Sequence, residues 1–187
     1  MRISGGAQRG RRLRSPRGRE TRPTSALLRQ AVLNVLAAQI PGAWVLDLFA
    51  GTGAVGLEAL SRGAAHVTFV ERDPRALASL RQNLASLGLA DRASVMGGDV
   101  EACLPRLAEA GARFDVIFAD PPYQSELSGR CIEVLAPGHL LRENALLIVQ
   151  AFHKTALPER LGVLSRRWRR RYGESSLSLY TRGSPCS

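Results

Sequence analysis

Between Trp44 and Gln150, short unbroken apolar runs alternate with stretches of helical period, and this alternation restricts the fold more than any other feature of the chain. The runs Trp44–Phe49, His66–Glu71, Ala93–Met96, Phe114–Ala119 and Ala145–Gln150 read as strands. Continuous rather than alternating hydrophobicity marks strands buried on both faces, as in a parallel sheet. Helices are expected between them, from about Val55 to Arg62, Pro74 to about Leu87, Val100 to Ala110 and Leu127 to Leu135. Right-handed crossovers then place helices on both faces of the sheet, an α/β architecture. Gly162–Tyr172 and Ser176–Thr181, joined at Gly173-Glu174, read as an antiparallel hairpin at the sheet edge. Upstream, Pro23 opens a helix that Thr24 or Ser25 can cap. Leu27/Leu28, Ala31/Val32 and Val35/Leu36 give that helix one apolar face, and Pro41-Gly42 ends it. A chain of 187 residues favours one domain. The expected organisation is a Gly- and Arg-rich arm or hairpin over residues 1–22 and a single α/β domain over residues 23–187.

Charge divides the chain in the same way. Residues 1–30 carry nine Arg against one Glu, and residues 154–187 carry seven Arg and Lys154 against two acids. The middle, residues 31–153, holds thirteen acids against nine Arg. Two basic ends around an acidic middle, with a net charge of +10, point to a polyanionic partner, nucleic acid above all. Cys103, Cys131 and Cys186 are odd in number and lack paired spacing, so neither a disulfide framework nor a zinc site is expected and a reduced, cytoplasmic setting fits. The basic N-terminus lacks the apolar core of a secretory signal, and no apolar run of about 18 residues suggests a membrane span.

Val45 to Gly56 reads as strand, tight glycine turn and helix. Gly51 and Gly53 allow positive φ and close approach of the backbone to a ligand. Glu71 follows Gly51 by 20 residues at the end of the second strand, where an acid can accept both hydrogen bonds of a ribose diol. Gly51, Gly53 and Gly56 also fit the dinucleotide pattern G-x-G-x-x-G, so a nicotinamide-dependent oxidoreductase is a rival reading. Asp47 argues against it. A carboxylate just before the turn repels a pyrophosphate at the helix N-terminus but welcomes a cationic ligand. S-adenosylmethionine has the adenosine, the sulfonium and the amino group, and no phosphate. Asp99, after Gly97-Gly98, can receive the adenine amino group or cap the next helix, with Val100 on the ring.

Asp120-Pro121-Pro122-Tyr123 stands at the end of the fourth strand. Methyl transfer needs alignment of nucleophile, carbon and sulfur more than acid–base help. An exocyclic aromatic amine is a poor nucleophile because its lone pair is delocalised. Acceptors on both of its N–H groups, here the Asp120 carboxylate and the Pro121 carbonyl, free that lone pair and stabilise the charge that develops on nitrogen. Proline's fixed φ, with Pro122 behind it, keeps the carbonyl aimed. Tyr123 can stack on the base.

Asp47–Gly53, Glu71 and Asp120–Tyr123 together resemble the class I S-adenosylmethionine-dependent methyltransferases that act on exocyclic amines. The tetrapeptide alone is shared with adenine-N6 and glutamine-N5 enzymes. Arg2-Ile3, Gly6, Arg9-Gly10-Arg11-Arg12-Leu13, Arg22-Pro23-Thr24, the run Gly56–Ala64 and Tyr172-Gly173 resemble the RsmD family of 16S ribosomal RNA (guanine(966)-N2)-methyltransferases. The resemblance implies a Rossmann-like fold with a seven-stranded, mostly parallel sheet whose last strand is antiparallel. It implies a 30S subunit or assembly intermediate as substrate. Arg9, Arg11, Arg12, Arg22 and the cluster containing Arg167 and Arg169 would then hold phosphates of the RNA. Where the family carries acids after Arg-Pro-Thr, this chain has Ala26 and Gln30, so the N-terminal arm must be ordered by other groups. A monomer is expected. An adenine-N6 enzyme on DNA, the oxidoreductase and a non-enzymatic RNA-binding assembly factor are the other readings.

Overall fold

Five parallel strands form one side of the sheet, with β3 at its edge: β1 (Trp44–Leu48), β2 (His66–Glu71), β3 (Ala93–Gly97), β4 (Phe114–Ala119) and β5 (Leu141–Phe152). The structure, a computed structural model, describes residues 1–15, 23–122 and 126–183. Three further strands, β6 (Arg160–Leu161), β7 (Leu164–Tyr172) and β8 (Ser175–Arg182), complete the order β3-β2-β1-β4-β5-β8-β7-β6. β8 runs antiparallel to β5, β7 to β8, and β6 to β7. The sheet therefore has eight strands, not the expected seven. The extra one arises at Gly162, where φ of +54° turns the chain sharply and a Cβ would lie 2.3 Å from the Ala136 carbonyl oxygen. The sequence from residue 162 to 172 reads as one strand, but the turn at Gly162 folds Arg160–Leu161 back as a separate short edge strand.

Three helices, α1 (Pro23–Val35), α2 (Ala54–Ser61) and α3 (Pro74–Leu87), pack on one face of the sheet. Leu28, Val32, Leu57, Leu60, Leu80 and Leu84 meet Val45, Val67, Phe69, Val116 and Ile148 there. On the other face α4 (Val100–Glu109) and α5 (Leu127–Leu135) bury Leu104, Leu107, Ile132 and Leu135 against Leu46, Val70, Ile117 and Leu147. This two-sided burial is the physical reason β1, β2 and β4 are apolar at nearly every position, whereas β3, at the edge, is only half-buried. Local signals set the ends of α3. The Asp73 carboxylate accepts the Arg75 N–H, Pro74 opens the first turn, and Gly88 closes the last with φ of +66°. α1 starts at Pro23, so Thr24 and Ser25 stand inside its first turn rather than before it.

The first residues form a hairpin docked on the α2 side. Ile3 N–H donates to the Arg11 carbonyl and Leu13 N–H to the Met1 carbonyl, and the Ile3 and Leu13 side chains enter the core. Gly6 presses against the end of α2, and Ala7 N–H donates to the Ser61 carbonyl at 2.8 Å. Beneath the hairpin lies Glu58, only 1% exposed. Its carboxylate accepts the Ser4 N–H on both oxygens, contacts the Ser4 hydroxyl, and pairs with Arg62 at 3.0 Å and Arg29 at 4.0 Å. Gln30 meets the same hydroxyl. Glu58, from the middle of α2, therefore anchors the hairpin, with Gln30 of α1 helping to hold Ser4.

Candidate active site

The strand order reverses between β1 and β4, whose connections leave toward opposite sides of the sheet. At such a switch point the carboxyl ends of neighbouring strands part and leave a crevice. The glycine turn after β1 and Asp120 after β4 open onto it, with Leu48 and Ala119 in register just below. Two concavities meet here. The larger, about 310 Å³, is lined by Gly51, Glu71, Asp99, Val100 and Pro122, among others. The smaller, about 160 Å³, is lined by Met1, Arg29, Asp47, Thr52, Phe118 and Gln150. Phe49 and Asp120 belong to both walls. A further cavity, about 710 Å³, lies at the amino ends of the strands around Trp44, His66 and Phe114, and none of the motif residues lines it.

Glu71 is held rigidly. One carboxylate oxygen accepts the Gly51 N–H at 2.6 Å, and the other accepts the N–H groups of Arg72 and Asp73. Three backbone donors thus fix its orientation at the crevice and leave about one of its lone-pair sites, on Oε2, for a ligand. Asp99 occupies the position before α4, but its side chain makes no capping bond. It pairs instead with Arg72 at 3.1 Å across the crevice mouth. The capping reading of Asp99 is corrected in that respect. Val100 is buried behind it.

Gly51 and Gly53 are both left-handed, for different reasons. Around Gly51, with φ of +57°, a Cβ would meet nothing, so the turn is open on the ligand side. At Gly53, with φ of +82°, a Cβ would come within 2.3 Å of Leu80, so this glycine faces the core rather than the crevice. Gly56, the third glycine of the dinucleotide pattern, likewise packs against Phe69.

Asp47 is 2% exposed and accepts the Gly56 N–H at 2.9 Å. It caps α2 from the neighbouring strand, taking one of the donors that a helix N-terminus otherwise offers to a phosphate. Burial raises its carboxyl to about 7, with the Gly56 bond opposing and the charges of Asp120 and Glu71 adding to the rise. Asp120 opens to the crevice yet is ringed by protein, and desolvation pushes its carboxyl up to about 7 as well. Six acidic side chains line the two concavities, Asp47, Glu71, Asp73, Asp99, Glu101 and Asp120, and with the basic Arg72 already paired to Asp99 they suit a cationic ligand and not a pyrophosphate. Pro121 is buried and Pro122 exposed. Tyr123 lies outside the described residues.

Sequence reasoning missed several wall residues. Phe49 sits at φ of +61°, rare for a bulky residue and a mark of strain that clusters at functional sites. Its place between Asp47 and Gly51 was the available signal. Arg29 and Gln150 reach the smaller crevice from α1 and β5, and no local motif announces them. The arginines assigned to RNA divide. Arg9, Arg12 and Arg167 are exposed and make no side-chain hydrogen bond or ion pair among the described residues. Arg11 donates to the Ser86 carbonyl, though its side chain remains exposed. Arg169 is corrected: it donates to the carbonyls of His153 and Thr155 and to the Ser176 hydroxyl, which makes it a brace of the sheet edge. Arg22 lies outside the described residues.

The family described as Conserved hypothetical protein 95 matches residues 1–181. Ribosomal RNA small subunit methyltransferase D of Escherichia coli (strain K12) is 39% identical over 158 residues, covering 84% of this chain and 78% of that protein. The protein of the same name from Haemophilus influenzae is 33% identical over 150 residues, covering 80% and 78%. Among solved structures, a hypothetical protein of Thermus thermophilus superposes with a TM-score of 0.80 at 39% identity, covering 96% of this chain and 98% of that one.

Proposed function

The chain belongs to the family described as Conserved hypothetical protein 95, and from that premise we propose that it transfers a methyl group from S-adenosylmethionine to the exocyclic N2 of one guanine in 16S ribosomal RNA. Guanine 966 is the position that the resemblance to the RsmD family implies. The observation that carries this reading is Asp120 standing in the common wall of two crevices. A carboxylate so placed can hold a base amine on one side while a methyl donor occupies the other.

The residues of the larger crevice fit the cofactor. Glu71, already oriented by three N–H groups, offers its remaining acceptor site to a ribose hydroxyl. Asp99 and Val100 line the part suited to an adenine, and Asp120, joined by Asp47 from the wall of the smaller concavity, supplies negative charge for a cation. When bound, S-adenosylmethionine supplies an electrophilic methyl carbon on a sulfonium. The protein then has to position and polarise the amine. Ionised Asp120 accepts one N–H of the guanine amine, and the Pro121 carbonyl accepts the other. The nitrogen lone pair is thereby turned away from the ring, and the positive charge that grows on nitrogen meets a carboxylate. Asp120, with its carboxyl near 7, can also receive the proton that leaves the methylated nitrogen. Tyr123 would stack on the purine.

A guanine inside structured RNA must be splayed from its neighbours to reach this crevice. Arg9, Arg11, Arg12, Arg22 and Arg167 supply the cations for the surrounding phosphates. One chain builds both crevices, which supports a monomer as the active unit. We assign it to the cytoplasm, with the assembling 30S subunit as substrate.

The test is primer extension on 16S rRNA from a strain deleted for the gene. One guanine-specific stop should vanish, return with the wild-type gene, and stay absent with Asp120→Ala. An unaltered stop in the deletion strain would overturn the substrate assignment.

A further inference from the structure

The arginine-rich strand β7 shows two kinds of cation. Arg166 and Arg169 are fastened to neighbouring carbonyls and to Glu159. Arg170 is exposed and makes no ion pair among the described residues; its guanidinium lies 4.9 Å from the centre of the Trp168 ring. A bulge separates the two sets. The register of β7 on β8 shifts between Arg166 and Trp168, leaving Arg167 as the extra residue. Bulges re-aim side chains, and this one reverses the alternation of the strand. Arg166 lies opposite Tyr180, which belongs to the α4–α5 face, whereas Trp168 lies opposite Leu179, which belongs to the α1–α3 face. Without the extra residue, Arg166 and Trp168 would point the same way.

The bulge therefore sends Trp168, Arg170 and Tyr172 to the face on which the smaller crevice opens. Their distance from it follows from register. Gln150, a wall of that crevice, pairs with Leu177, and Leu177 pairs with Arg170. At roughly 4.8 Å between neighbouring strands, the Arg170 backbone sits about 10 Å from that of Gln150. Trp168, half-buried against the core, backs the guanidinium, and Tyr172, also half-buried, follows two residues along the strand from Arg170 on the same face.

We propose that Trp168, Arg170 and Tyr172 form a platform on which an unpaired nucleotide flanking the target guanine stacks, which rests on the rRNA reading given above. A flat cation backed by an indole accepts the face of any base and attracts the adjoining phosphate, so it grips the strand without selecting its sequence. The platform holds the neighbour of the splayed base, and Asp120 acts on the base itself.

The experiment compares methylation of 16S rRNA by the wild type, Arg170→Ala and Arg170→Lys, with S-adenosylhomocysteine affinity measured by calorimetry. Because Arg170 is exposed, neither variant should disturb folding. Arg170→Ala should raise KM for RNA about tenfold, with kcat within about twofold and cofactor affinity unchanged. Arg170→Lys, which keeps the charge but loses the plane, should restore only part of the loss. The chain holds two tryptophans. In a Trp44→Phe background the RNA should therefore quench the fluorescence of Trp168, and quench it less when Arg170 is Ala. A wild-type KM in Arg170→Ala, full recovery by Lys, or absent quenching overturns the platform. RNA that quenches Trp168 but accepts no methyl group from the wild-type enzyme overturns the proposed reaction while supporting the platform.

Discussion

Asp47 and Asp120 are carboxyls whose surroundings disfavour their charge: burial raises Asp47 to about 7, and desolvation by the crevice walls raises Asp120, though its surface opens to the crevice, to about 7 as well. The raised values mean that the native state binds protons the unfolded chain does not. On their account the unliganded protein should lose stability as pH rises from about 4 to 7 and level off above. A cationic ligand needs these groups ionised, so affinity for S-adenosylmethionine should strengthen as pH rises from about 6 to 8. Calorimetry at pH 6 in buffers of different ionisation enthalpy should record proton release on binding; proton uptake would contradict the assignment. Substitution should separate the roles. Asp120→Ala should lower kcat by about 10²–10³, the scale for losing one group that stabilises transition-state charge, and change cofactor affinity far less. Glu71→Ala should do the reverse, and steady-state kinetics with equilibrium dialysis would check both. The candidate site was legible in sequence where chemistry and a local motif coincide, at Asp120, Gly51 and Glu71. The hydrogen bond from Gly56 to Asp47 was not legible, because it joins a strand to the helix after it. Arg29 and Gln150 were hidden because only the tertiary fold brings α1 and β5 to the crevice.

At the scale of elements, the N-terminal hairpin depends on a few contacts with α2. Gly6 carries φ of +76°, and a Cβ there would lie 1.9 Å from the Ser61 carbonyl oxygen. Gly6→Ala should undock the hairpin, exposing the amides of Ile3 and Ala7 to rapid hydrogen exchange. RNA methylation should fall while S-adenosylhomocysteine binding persists, because the hairpin supplies no wall of the larger crevice. Retained protection at Ala7 would show that the docking is arranged otherwise. The central strands could be read nearly to the residue, since burial on both faces gives them continuous apolar runs. β5 begins at Leu141 rather than Ala145, through the polar stretch Arg142-Glu143-Asn144. Asn144 has φ of +60°, and the pairing with β4 is irregular there, so hydrophobicity gave no warning. Glu58 escaped notice for a related reason: in sequence it is an ordinary acid on a helix, and only the docked hairpin and Arg29 make it a buried clamp.

For the molecule as a whole, the charge pattern survives folding. The N-terminal hairpin and β7 bring arginines from both ends of the chain onto a core whose crevice is acidic. RNA binding should therefore depend steeply on salt, with affinity falling about 10³-fold between 50 and 200 mM if roughly six phosphates are neutralised. Cofactor binding should barely respond over the same range, and titration of both ligands across salt would check the contrast. Among the described residues, no helix is long and apolar enough to cross a membrane. The measurement that tests the central claim most directly is methyl transfer from isotopically labelled S-adenosylmethionine to 16S rRNA lacking the mark, followed by mass spectrometry of the nucleosides. The account predicts one labelled N2-methylguanosine per RNA with the wild-type protein and none with Asp120→Ala. Label on an adenine, or equal label with Asp120→Ala, would contradict it.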